Sequence, residues 1–313
     1  MNKEKKSKNI ILSILGCIVV AALIFALAQA AGYLLDPRYA QDGIDVIKAF
    51  DSLEEDSVDV IVYGSSRAWK GVDTRVMYDD YGINAYNYSA NWLSLNTTLL
   101  FLQNSLKTQK PKIVCIETGL VDDIEKDVDL DGQIYCTRYM RPSKEKREFL
   151  KTCFGKNIER YASYYFPIIM FHDNWSRVNY ENIIKPDKQR YIDSRGFYAT
   201  YEAEPFEAPD YTKFTQKELN EDSLEILDKM VSFCNENGIQ IIFFTCPYAD
   251  QYNYGEEMTE YSANNGCAYL NLFEYTEEMG LDYKTDLKDY EHLNESGAGK
   301  TAAFLAEYII DYY

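Results

Sequence analysis

Three short apolar runs constrain the fold of this chain more than any other feature. They are Val58–Tyr63 (Val-Asp-Val-Ile-Val-Tyr), Lys112–Glu117 (Lys-Ile-Val-Cys-Ile-Glu) and Ile239–Thr245. Each has strand length and is apolar through its centre, as strands covered on both faces are. Segments of helical spacing separate them. Thr74–Tyr81 and Leu93–Thr108 follow the first run, the latter placing Leu95, Leu99, Leu102 and Leu106 along one face, and Asp222–Asn235 precedes the last. Ile83–Tyr88 and Ala268–Leu272 complete five predicted strands, and Pro111 and Asn237-Gly238 stop the helices before them. Alternation of this kind predicts an α/β fold: a parallel sheet with helices on both faces, in three layers.

The first residues belong to a different regime. Lys3, Lys5, Lys6 and Lys8 precede Ile10–Leu35, a run without a charge and long enough to cross a bilayer. A cleavable signal peptide competes with this reading, because Ala28–Ala31 offers small residues after the apolar region, but the run exceeds the usual length of a signal core. The expectation is an uncleaved single-pass anchor with residues 1–9 as a cytoplasmic tail and 10–35 in the cell membrane. A connector follows at 36–56, and an extracytoplasmic domain at 57–313; the lysines set this orientation. Cys17 is read as an ordinary membrane residue.

The net charge of −18, with no basic stripe interleaved with aromatics, argues against a nucleic-acid partner. Seven cysteines form no CxxC pair and no zinc spacing, and no glycine-rich phosphate loop occurs, so neither a metal nor a cofactor is expected. Cys115 and Cys246 read as small buried hydrophobes. A Cys136–Cys153 disulfide stays open. The stretch from about 121 to 216 breaks the strand-helix alternation. It carries a helical piece near Ser143–Phe149 and an aromatic run at Tyr161–Phe171, and is read as an insertion over the C-terminal edge of the sheet, where open α/β sheets bind ligands.

Only two histidines are present, His172 and His292, so imidazole chemistry has few candidates. His292 lies in Asp289-Tyr-Glu-His292-Leu-Asn294-Glu-Ser-Gly297, read as a loop leading into a final helix with Ala302, Leu305 and Ile309 on its apolar side. Asp289, three positions earlier, can reach one ring nitrogen and leave the other for a nucleophile. The matching hydroxyl is Ser66 in Gly64-Ser65-Ser66-Arg67, at the end of the first strand. His172, flanked by aromatics, is left out of this set. Asn294 is read as a helix cap and Arg67 as half of a surface salt bridge.

An early strand ending in Gly-x-Ser, together with a C-terminal Asp-x-x-His-Leu-Asn-x-x-Gly, resembles the SGNH/GDSL hydrolase superfamily, in particular its membrane-anchored DltD-like and cell-wall O-acyl-transfer branches. The resemblance covers about Ser57 to the C-terminus through few, short motifs. It implies an SGNH-like, flavodoxin-like sheet. It further implies Ser66 as nucleophile, His292 as base, Asp289 as its orienting acid, and the Ser66 N–H as an oxyanion donor. Two blocks depart from the family pattern. Ser89 stands where a glycine donor is expected, and Glu117-Thr118-Gly119 lacks the asparagine of the third block, for which Asn91 is the substitute. The implied activity is a serine esterase or O-acyltransferase on acetyl or D-alanyl type groups of cell-envelope polymers, with a cell-envelope glycan or an acylated polymer as partner and a membrane acyl-transfer protein as a further candidate. The alternative is a catalytically degenerate polysaccharide-binding or assembly protein on the same fold; a scaffold holding a partner membrane protein through the insertion is a third class.

Overall fold

The structure is a computed structural model that describes residues 2–35, 42–122, 136–177 and 188–312. The chain forms two compact units, one of Met1–Gln41 with Phe154–Pro186, the other of Asp42–Cys153 with Asp187–Tyr313.

In chain order, helix α1 (Asn2–Leu35) belongs to the first unit, and the second begins with α2 (Asp42–Phe50). Strand β1 (Val60–Tyr63) is followed by α3 (Ser66–Gly71) and α4 (Thr74–Asp79), then β2 (Ala85–Asn87), α5 (Leu95–Ser105) and β3 (Ile113–Glu117). Helices α6 (Lys144–Phe154), α7 (Ile158–Tyr165), α8 (Ile168–Phe171) and α9 (Lys188–Asp193) come next. The chain then runs α10 (Glu221–Glu236), β4 (Gln240–Thr245), α11 (Gly255–Asn264) and β5 (Ala268–Asn271). It ends with β6 (Leu287–Asp289), β7 (His292–Leu293) and α12 (Glu295–Tyr312).

Helix ends follow local chemistry. Ser94 Oγ accepts the Thr97 N–H at the start of α5, and Asn220 Oδ1 accepts the Ser223 N–H at the start of α10. The end of α10 is closed at Asn237-Gly238, where Gly238 takes φ +68°.

The five long-predicted strands form one parallel sheet in the order β2-β1-β3-β4-β5. Alternate residues face opposite sides. Val60, Val62, Ile113, Cys115, Ile242 and Phe244 pack with Ala68, Met77 and, from α12, Ala302, Leu305 and Ile309. On the other face, Tyr63 shares a 2.6 Å hydrogen bond with Ser105 of α5, and Phe50 of α2 stacks on Tyr88. Each Val, Ile, Leu, Met or Phe side chain among them contributes about 1.5–3 kcal/mol by leaving water. β1 and β3 are neighbours although β2 intervenes in sequence, so the direction of winding reverses between them. The crevice at their C-terminal ends is the place where open sheets of this kind bind ligands.

Residues 42–50, read as connector, instead form α2, with Val46, Ile47, Ala49 and Phe50 fully buried; residues 36–41 lie outside the described residues. Of the stretch 121–216, read as an insertion over the sheet edge, residues 123–135 and 178–187 lie outside the described residues, and residues 154–177 belong to the unit of α1. The later part threads beside the sheet: Asn87 donates to Arg195 O, Tyr198 to Trp69 O, Glu204 to Leu287 O and Glu295 to Thr200 O. No disulfide joins Cys136 to Cys153, and both are buried.

The docking of that segment on β2 depends on Gly196. Its φ is +84°, and an added Cβ would lie 2.0 Å from Asn87 O, a backbone atom of the edge strand β2. Gly196→Ala is therefore expected to destabilise the sheet unit by about 2 kcal/mol or more. Chemical denaturation checks this; an unchanged midpoint would show that the segment yields.

Candidate active site

β1 ends at Tyr63, and the chain must turn at once to begin α3. Gly64 makes the turn possible: its φ is +153°, and a Cβ there would meet Ala68 Cβ and Glu117 Cβ, each at 2.8 Å. Ser65 caps α3, its hydroxyl accepting the Arg67 N–H at 3.4 Å. The next residue, Ser66, is only partly buried and stands at the C-terminal edge of the sheet, at the crevice between β1 and β3.

The partners of Ser66 come from the other end of the chain. The segment read as a loop before the last helix is a hairpin, β6–β7, in which Asp289 and His292 are paired directly across the strands. Cross-strand partners present their side chains on one face, which brings the carboxylate to the ring. His292 Nδ1 lies 2.8 and 3.0 Å from the two Asp289 oxygens, and His292 Nε2 lies 2.8 Å from Ser66 Oγ. The carboxylate accepts at Nδ1, so the ring proton is assigned there, and Nε2 carries the lone pair that accepts from the Ser66 hydroxyl.

Electrostatics favour that state. Burial, and then the nearby Lys70, hold the His292 pKa below its ordinary value, against the pull of Asp289 and Glu291. The imidazole is therefore neutral at pH 7. Asp289 is held below the usual carboxylate range: burial pushes it up, but the Glu291 N–H, His292 and Lys288 together prevail. Its neighbour Asp286, buried and bonded to the Asp282 N–H, Ser296 and Lys300, braces the hairpin. Asn294 caps α12 through the Gly297 N–H and donates to Thr285 O, as its position suggested.

Three further donors were expected. Among the described residues, the N–H groups of Ser66 and Ser89 find no acceptor. Ser89 is fully buried, its hydroxyl directed to Val62 O at 3.5 Å, so only its backbone remains to serve the site. Asn91 follows on the same edge, partly exposed, its side chain without a hydrogen bond among the described residues; Trp92, next to it, is 64% exposed at φ +56°. His172 takes no part in this cluster; it bonds Ile169 O and Asp173 in the first unit.

Arg67 differs from its sequence reading. Its side chain is 11% exposed, donates to Gly119 O at 2.7 Å and Glu291 Oε1 at 3.2 Å, and lies over the Tyr248 ring at 4.2 Å. It is a mostly buried strut joining the serine helix, the end of β3 and the hairpin, where a surface ion pair had been expected. Beside it, the Glu117 carboxyl is buried, and its Oε1 accepts the Gly119 N–H at 2.9 Å. Burial raises this carboxyl to about 7, with Arg67 and the Gly119 and Cys246 N–H groups opposing. The sequence signal for Glu117 was available: a lone acid closing an otherwise apolar buried strand.

A neutral imidazole with a free lone pair, a hydroxyl within hydrogen-bond reach of it and unpaired N–H groups on the same edge can activate an oxygen nucleophile and receive an oxyanion. Comparison with protein-family models and with curated proteins found no match to this chain.

Proposed function

We propose that this protein is a membrane-anchored serine esterase or O-acyltransferase of the SGNH/GDSL type, with Ser66 as nucleophile, His292 as base and Asp289 as the acid that orients it. The observation that carries the reading is the unbroken hydrogen-bond chain from Ser66 Oγ through both ring nitrogens to Asp289. The strand order β2-β1-β3-β4-β5, with the serine after β1 and the histidine just before the last helix, supports the family assignment.

In the proposed route Ser66 Oγ attacks an acyl carbonyl as its proton passes to His292 Nε2. Asp289 stabilises the imidazolium, and the Ser66 and Ser89 N–H groups, with Asn91, receive the oxyanion. Collapse expels the alcohol, protonated by His292, and leaves Ser66 acylated. Water or a sugar hydroxyl, deprotonated by His292, then takes the acyl group; the route needs no cofactor. Lys8–Leu35 is long and apolar enough to cross a membrane, and the N-terminal lysines favour a cytoplasmic start, which supports reading the site as facing the envelope. The acceptor in that setting is an envelope glycan or an acylated polymer.

The test is fluorophosphonate labelling of the full chain in detergent. Wild type is expected to label at one site and Ser66→Ala not at all. A folded wild type that stays unlabelled would sink the catalytic reading and leave the polysaccharide-binding alternative, which the missing asparagine after β3 favours.

A further inference from the structure

Helix α1 is covered along only part of its length. From Ile10 to Leu27 its large apolar side chains are bare, each at least half exposed, whereas Ala28, Gln29 and Ala31–Leu35 are partly or fully covered. The cover comes from residues 154–177 of the same unit. Phe166 meets Phe25 edge-on at 5.5 Å, Gln29 donates to Tyr165 O, Gly32 lies against Pro167 and Ile168, and Asn174 donates to Leu35 O at 3.2 Å. Gly32 is needed for this contact: a Cβ would lie 2.9 Å from both Pro167 Cβ and Ile168 N.

The lengths match a bilayer. The bare stretch Ile10–Leu27 is about 27 Å long at ~1.5 Å per residue, close to the roughly 30 Å hydrocarbon core. The covered turns then fall in the headgroup layer beyond it. At that level the covering segment turns large amphipathic and apolar side chains outward: Tyr165 is 48%, Ile169 46% and Trp175 74% exposed. Tyrosine and tryptophan favour this layer, where a ring meets apolar chains and its polar atom meets water. Exposed His172 and Asp173 sit among them, as a headgroup layer tolerates and a hydrocarbon core does not.

We propose that residues 158–175 form a collar that lies in the interfacial layer of the bilayer on the far side from the N-terminus, with Tyr165, Ile169 and Trp175 in contact with lipid. This rests on α1 spanning the membrane and is independent of the chemistry assigned to Ser66. The collar widens a single helix into a broader foot and holds the end of α1 at a set depth.

The experiment uses the full chain reconstituted in vesicles containing phospholipids brominated either near the headgroup or near the chain end, with tryptophan emission as readout. Wild type is expected to float with the vesicles and to be quenched more by the headgroup-side bromines. In Trp175→Phe that quenching is expected to fall by about half or more, since Trp69 is fully buried in the other unit and only Trp92 remains exposed. The substituted site is itself exposed, so the variant keeps its fold, and an unchanged far-UV circular dichroism spectrum and thermal midpoint serve as a check on this. Flotation with no Trp175-dependent quenching would overturn the collar and leave a protein partner as occupant of this surface. Failure to float would overturn the spanning helix on which the collar rests; neither result bears on the Ser66 reading.

Discussion

Asp289→Asn is expected to lower the rate of Ser66 acylation about 10⁴-fold with the fold intact, and His292→Ala at least as much. The reason is the tautomer. An amide in place of the carboxylate can donate to Nδ1 and so move the ring proton to Nε2, where it blocks acceptance from the Ser66 hydroxyl. Because the three groups act as a unit, Asp289→Asn combined with Ser66→Ala is expected to be no slower than Ser66→Ala alone. The pH profile follows in sign from the lowered His292 pKa. Protonated imidazole cannot accept, so activity is expected to be flat near neutrality and to fall on acidification, with a midpoint below the ordinary histidine value. Acylation rates measured with an activated ester across pH decide the matter. A midpoint above the ordinary value, or an Asp289→Asn variant within tenfold of wild type, would remove Asp289 from the proposed role.

Glu117→Gln is expected to flatten the pH dependence of stability by about 3 kcal/mol between pH 5 and pH 8. In the native protein burial raises this carboxyl from the ordinary 4.5 to about 7, with Arg67 and the Gly119 and Cys246 N–H groups only partly opposing. Between those values the native chain holds a proton that the unfolded chain has lost, so wild-type stability falls as pH rises through the window and levels off above about 7. A glutamine has no proton to lose, and its N–H₂ cannot replace a carboxylate oxygen as acceptor of the Gly119 or Cys246 N–H. The comparison of slopes therefore tests more cleanly than absolute stability. Denaturation of wild type and variant at the two pH values provides it, and equal slopes would mean that Arg67 neutralises Glu117 throughout.

How much of this was legible beforehand differs from element to element. The five strands were, because runs such as Ile113–Glu117 and Ile241–Thr245 are buried on both faces and so are apolar through their centres. The short helix α2 was missed: Asp42-Gly43 at its start reads as a turn, and nine residues present too little period to separate from a connector. Helix α11 was missed because polar and charged residues interrupt its buried positions Met258 and Tyr261. The hairpin β6–β7 read as a loop, since strands of three and two residues leave no periodicity at all. Arg67 shows the limit most clearly. Its partners Gly119 and Glu291 lie 52 and 224 residues away, and nothing in Gly-Ser-Ser-Arg announces either.

By itself the sequence determined the elements whose signal is local. These are the apolar length of α1, the parallel strands with their intervening helices, the glycine that permits the turn before Ser66, and the Asp-x-x-His pair that any short reversal would bring together. Only the tertiary structure decided which of these meet. The reversal of winding between β1 and β3 puts Glu117 beside the serine turn; the packing of α3 against β7 and α12 carries His292 to within 2.8 Å of Ser66; and the folding of residues 154–177 onto α1 divides that helix into a bare part and a covered part. Local pattern reports what one stretch of chain prefers, whereas contacts between distant stretches are selected by the burial and pairing of the whole sheet unit, or of the whole α1 unit, at once.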